Sequence, residues 1–300
     1  MRPCARIATG SVGCMPVPAT AVEWMLAQCS SEQAAWLGQA SAAISTAGLG
    51  SAAAERALGM AYAQCARRFP RTPFCHPAGK LIPPANLRPG WQPQRWTWDQ
   101  VARAVLLAQL PAHNDAALVA AVDALAARAD GQELIALYQA LPVLPGQALW
   151  RDRAAEGVRS NMRPVFAAVA LDNPYPAEQL DDERWNQLVL KALFLEAPTH
   201  RIHGLSARAN PVLAQMLGQY ARERWAAGRR IPPGLWRGVA AHADAERVAD
   251  LRRALGDPDA RTRTAARLAV QESAPALLPT LDPSGPPTHA TWATLEAPDC

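Results

Sequence analysis

The stretch Leu255-Gly-Asp-Pro-Asp-Ala-Arg-Thr-Arg-Thr-Ala-Ala-Arg-Leu-Ala-Val270 decides how the rest of the chain is read. Asp257-Pro258 places a capping carboxylate ahead of a proline, which a helix tolerates in its first turn because the amide it lacks would have no partner there. The alanines and arginines behind it resemble the second helix of a HEAT-type repeat, which packs on a neighbour rather than standing alone. No fixed period recurs upstream, so the expected fold is all-α: a degenerate HEAT-like α-solenoid of stacked antiparallel helix pairs.

Upstream, Asn210-Pro211 repeats the same start signal, and helices are expected near 147–158, 182–196, 211–227, 233–241, 244–255 and 258–271. Pro164 marks the first turn of another. Thr97-Trp-Asp-Gln100 has the spacing of a capping box, and Asn114 and Asp130 are good N-caps for the two helices that follow. Near the N-terminus, Val22, Met25, Leu26 and Cys29 form one helical stripe, continued by Trp36, Ala40 and Ile44, and 52–68 reads as an Ala-rich helix. No series of alternating β-branched runs occurs, so no sheet is expected. Between Phe69 and Trp96 lie seven prolines, a density no helix accepts. The segment reads as a long ordered loop pinned by Trp91 and Trp96, with an interdomain linker as the rival. The expected layout is an irregular leader at 1–17, one helical domain over 18–272 and a disordered tail over 273–300, where prolines replace apolar periodicity.

A chain of 300 residues, half of them apolar, can bury roughly 75% of its unfolded surface in a single core. A net charge of +4 is too small for a dedicated nucleic-acid binder. Of the 30 basic residues only Lys80 and Lys191 are lysine, so 28 are arginine. The six cysteines are scattered, which suits reduced thiols in a cytoplasmic protein. The longest apolar run, Leu188 to Leu195, is broken by Lys191 and falls far short of the ~20 residues of a membrane span. No phosphate-binding, dinucleotide-binding or nucleophile-elbow motif is present, and His200 and His203 lack a third ligand nearby, so neither cofactor nor metal is expected.

The polar residues that fit a helical core least well lie between 150 and 225. Arg153, Glu156 and Arg159, followed by Asn161, cluster by helical spacing and suit either a pocket wall for an anionic or polyhydroxyl molecule or an internal ion network. Lys191 interrupts an apolar segment, with Asn186 five residues before it. Burial would make it a proton acceptor or nucleophile, whereas snorkelling or pairing with Glu196 would make it structural. Asn210 caps a helix and leaves Arg208 free to reach a groove. Glu223 and Arg224 occupy the continuation of the stripe Leu213, Met216, Leu217, Tyr220.

Several of these elements together resemble the EboA family. They are Pro89-Gly-Trp91, Trp96-Thr-Trp-Asp-Gln-Val-Ala-Arg103, Glu133 to Pro142, Arg153-Ala-Ala-Glu-Gly-Val-Arg-Ser-Asn161, Asn173-Pro-Tyr-Pro176, Trp185 to Ala192, Arg208-Ala-Asn-Pro211 and Glu223-Arg-Trp225. The family often has His before the Glu of the last element, where this chain has Arg222. The resemblance implies a part in moving or finishing a secondary metabolite. It also implies neighbours from an ebo-type gene cluster, a membrane prenyltransferase-like protein among them, and it supplies no catalytic residue. Three readings stay open. The first is a non-catalytic carrier or adaptor for a small polar or anionic metabolite, the second an enzyme on a cyclitol or sugar phosphate using Lys191 or Glu156, and the third a protein-interaction scaffold.

Overall fold

A computed structural model of the chain describes residues 19–74, 87–283, 285 and 287–297. The leader expected at 1–17 and the middle of the proline-rich segment lie outside these residues. The first helices are α1 (Ala19–Leu26), α2 (Ser31–Ala47), α3 (Ala52–Arg68), α4 (Trp98–Ala108), α5 (Asp115–Arg128) and α6 (Gly131–Gln139). There follow α7 (Arg151–Arg159), α8 (Arg163–Ala170), α9 (Tyr175–Gln179), α10 (Asp182–Phe194) and α11 (Pro211–Ala226). The chain continues through α12 (Leu235–Ala240), α13 (Ala245–Leu255), α14 (Ala260–Ser273), α15 (Leu278–Leu281) and α16 (Trp292–Leu295). The described residues form no β-strand; one isolated bridge joins Pro73 to Thr97.

Packing follows from how much of each helix is apolar. Val101, Ala102, Ala104, Val105, Leu106 and Leu107 point to several sides of α4 and are all buried, so α4 lies inside the molecule rather than on its surface. It packs on α3 and α6, and α6 packs in turn on α8. In the second half α11 packs on α12 and α13, and α14 packs on α12 and α13. Contacts between helices two apart in the chain therefore recur in both halves. The expected caps form where side chain and amide meet locally. The Thr97 amide donates to Gln100 Oε1 at 3.0 Å, and Asn210 Oδ1 accepts from the Leu213 amide at 2.8 Å.

Both described ends of the proline-rich segment are anchored by aromatics. Phe74 lies edge-on to Trp24 and Trp98, with ring centroids at 5.7 Å and 4.7 Å. Trp91 and Trp96 meet at 5.2 Å, and the Trp91 indole donates to the Gln139 carbonyl.

Two expectations are corrected. The tail is not disordered over its described residues: α15 and α16 dock, Trp292 and Leu295 are buried, and the Trp292 indole donates to Glu272 Oε2 at 2.8 Å. An aromatic anchor supplies burial that apolar periodicity does not reveal. The helix of the 255–270 stretch begins two residues late, because Asp257 Oδ1 accepts from the Asp259 amide and forms a local turn. The cap is Asp259, and Asp257 instead accepts from the Trp225 indole at 2.9 Å.

Candidate functional site

The sequence-derived candidates fall into four places. Arg153 bonds Glu156 at 2.7 Å and also Asp123, bracing α7 on α5. Arg159 and Asn161 are exposed beyond it. Asn186 and Asn210 exchange amide bonds of 2.8 Å and 3.2 Å between α10 and the start of α11. Beside them, Arg208 donates to the carbonyls of Ala177 and Leu180, bonds Asp182 and lies over the Trp185 ring. That arginine closes the carbonyl end of α9. Lys191 donates to the Val158 and Ser160 carbonyls at 2.6 Å and 2.8 Å and lies 5.3 Å from the Phe166 ring centroid, closing the end of α7. Desolvation pushes its pKa below the ordinary 10.5, while the two carbonyl acceptors favour the ammonium. Glu196, the partner suggested for Lys191, pairs with Arg224 at 3.8 Å instead.

Two hollows flank the α10–α11 pair. An open groove of about 640 Å³ runs between the helices, lined by Leu190, Lys191, Phe194, Met216, Tyr220 and Glu223 among others. Phe194 is 71% exposed there. On the other side lies a cavity of about 520 Å³, a size that admits a small organic molecule. Its walls are the carbonyl end of α10 (Leu193, Glu196, Ala197), Pro198 and Thr199, Arg224 of α11, and the turn Arg230-Ile-Pro-Pro-Gly234. Asp259 and Arg261 at the start of α14, with Leu295 and Glu296 of the tail, complete it.

The sequence builds this cavity from helix ends. Glu196 follows α10 in the left-handed region (φ 54°), and the Ala197 amide reaches back to the Ala192 carbonyl at 2.9 Å, closing the helix as a Schellman turn does. Pro198 then prevents the helix from continuing. Gly234 is required by contact, because a Cβ there would overlap Thr199 Oγ1 and Glu296 Oε1. Glu296, 5% exposed, accepts from the His200 amide at 2.9 Å, lies 2.9 Å from His200 Nδ1 and accepts from the Thr199 hydroxyl, tying the tail across one side. Arg237 supports that tie from behind, donating to the Thr199 carbonyl and lying over the Trp292 ring. Burial alone would raise the Asp259 pKa. The Thr262 hydroxyl and amide and the Arg261 amide outweigh burial and hold the carboxyl below its usual 3.8. Arg224 donates to the Arg230 carbonyl and to the Tyr220 hydroxyl, which ties the cavity wall to the groove.

Among the described residues the lining therefore carries three arginines, three carboxylates and one hydroxyl, with Ile231, the prolines and Leu193 as apolar walls. Such a mixture presents hydrogen-bond donors and acceptors of both charges side by side, the chemistry that recognition of a polar molecule requires. The described lining holds no cysteine, serine, lysine or histidine, and the groups in it able to act as nucleophiles are the Thr199 hydroxyl and the three carboxylates. No group of three His, Cys, Asp or Glu suited to a metal occurs among the described residues. Arg222 bonds Asp250 at 2.8 Å and Glu246 at 2.7 Å. Of the sequence-derived candidates, Arg224 alone lines the cavity, and Lys191 and Glu223 share the groove. Thr199, Arg230, Asp259, Arg261 and Glu296 join the lining without any pattern in the sequence that marks them as a site. The Pro-Pro-Gly turn was the only local signal, since Glu296 lies 96 residues from His200 in the chain.

Among the described residues no helix is long and apolar enough to cross a membrane. Comparison with curated proteins and with solved structures returned no match. The model of one protein family, described as metabolite traffic protein EboA, matches residues 18–240. That range covers every cavity wall except Asp259, Arg261 and the tail residues, and the chain belongs to the EboA family.

Proposed function

We propose that this protein is a non-catalytic binding or adaptor protein, working in the cytoplasm on the traffic or maturation of a small polar metabolite of an ebo-type secondary pathway. The metabolite lodges in the 520 Å³ cavity, on a frame of HEAT-like stacked helix pairs. One observation carries this reading: charges of both signs from α10, α11, α14 and the tail converge on one hollow large enough for an organic molecule. Arginines suit forked bonds to phosphate or carboxylate, and the carboxylates suit hydroxyl or ammonium donors. The use of Lys191 as a spacer between α10 and the end of α7 favours binding over the rival enzyme reading, because its donors already meet two carbonyls. The exposed Phe194 in the open groove supports the adaptor half of the proposal, in which another protein of the cluster, the membrane prenyltransferase-like one included, takes or delivers the cargo.

Native mass spectrometry of the protein incubated with a metabolite extract of its source cells tests this. The expected result is retention of one compound of a few hundred daltons, lost in Ala197→Trp, which fills the cavity. Retention that is unaffected by Ala197→Trp places the site elsewhere and refutes the assignment.

A further inference from the structure

We infer that the metabolite held in this cavity carries a cationic group, such as an ammonium, that Glu196 recognises, so that the ligand is an amino phosphate or amino carboxylate rather than a simple anion. The inference rests on the reading of the cavity as the metabolite site. It begins with the balance of the described lining, in which three arginines face three carboxylates. A ligand of one sign would bring its charge close to like charges as well as to opposite ones.

Two of the three carboxylates are already committed. Glu296 is buried and holds His200 and Thr199, and Asp259 accepts from two amides and a hydroxyl as the cap of α14. Glu196 differs. Its side chain is 72% exposed at the rim, and Arg224 at 3.8 Å is its one partner among the described residues. Arg224 in turn gives hydrogen bonds to the Arg230 carbonyl and the Tyr220 hydroxyl rather than to Glu196. The position itself is one where helices ordinarily end in glycine, so the backbone has no need of a carboxylate there. Glu196 also stands at the carbonyl end of the 13-residue α10, where the helix dipole favours a positive group. An acid with spare hydrogen-bonding capacity, beside a helix end that attracts cations, in a cavity whose described walls also carry arginines with partners of their own, selects a ligand bearing both signs.

Titration calorimetry with two probes of similar reach decides the matter: phosphoethanolamine, and ethyl phosphate, which lacks the ammonium. The wild-type protein should bind phosphoethanolamine at least about tenfold more tightly, as expected of one added charge-assisted contact. In Glu196→Gly and in Glu196→Gln the preference should fall below about twofold while ethyl phosphate binding persists. Glu196→Gln keeps the side chain's volume and guards against a backbone effect of glycine. Equal or tighter binding of ethyl phosphate by the wild type overturns the inference and leaves the cavity reading standing, as does a preference that survives both variants. Failure of both probes to bind overturns the cavity reading and the inference with it.

Discussion

Replacing Lys191 by methionine separates a structural lysine from a chemical one. The substitution keeps the length and apolar stem and removes the ammonium that bonds the Val158 and Ser160 carbonyls at 2.6 Å and 2.8 Å. Hydrogen bonds to a charged donor contribute about 1.5–3 kcal/mol each when fully shielded. Lys191 is half-buried, so water re-solvates part of what is lost and the attraction to the Phe166 ring is screened. A net loss of about 2 kcal/mol follows, which in a chain of this length lowers the melting temperature by about 3 °C. Thermal melts of wild type, Lys191→Met and Lys191→Arg would show it, with the arginine variant intermediate because its planar fork cannot copy the ammonium geometry. Ligand retention in the cavity should be unchanged in all three. A Lys191→Met protein that melts with the wild type yet no longer retains the metabolite would refute the reasoning.

Three further outcomes follow from the geometry. Removing the residues from Thr291 onward deletes Trp292, Leu295 and Glu296, and the loss of one buried Trp alone should destabilise by about 3 kcal/mol; urea midpoints check this, and an unchanged midpoint would mean that the tail is not docked. Asp259→Ala should cost about 1 kcal/mol as a lost cap. Because the folded Asp259 pKa lies below 3.8, its contribution is present above that value and fades as pH falls through the folded one; the acid limb of the pH–stability curve should flatten in Asp259→Ala, and an identical limb would contradict the cap. Burial raises the thiol pKa of Cys29 to about 11 and of Cys65 to about 12, so both are protonated at neutral pH. In a protein with Cys4, Cys14, Cys75 and Cys300 changed to serine, a disulfide reagent at pH 8 should label neither quickly until urea is added, and rapid labelling of the native protein would count against the partial burial of Cys29 and the full burial of Cys65.

What the sequence revealed was local. Thr97 and Gln100, Asn114, Asp130 and Asn210 meet amides two or three residues away, so their spacing suffices to place the helices they start. Asp257 shows the limit of such signals, because the same side chain can cap a helix or fold a turn, and the Asp259 amide and Trp225 indole decided for the turn. Trp292 reads as an isolated aromatic in proline-rich text until Glu272 and Arg237 are brought beside it. The candidate site was the least legible part. Arg208 looks free in the sequence, yet three carbonyls at the end of α9 surround one of its nitrogens. The lining comes from helix ends that only the fold juxtaposes, and Glu296 would be unremarkable without Thr199 and His200.

A crystal structure of the protein purified from its natural source tests the central claim most directly. The account predicts electron density for a small molecule between Arg224, Glu196 and the Arg230–Gly234 turn. Density for a co-purified molecule beside Phe194 in the open groove instead, with the cavity holding only water, would contradict it.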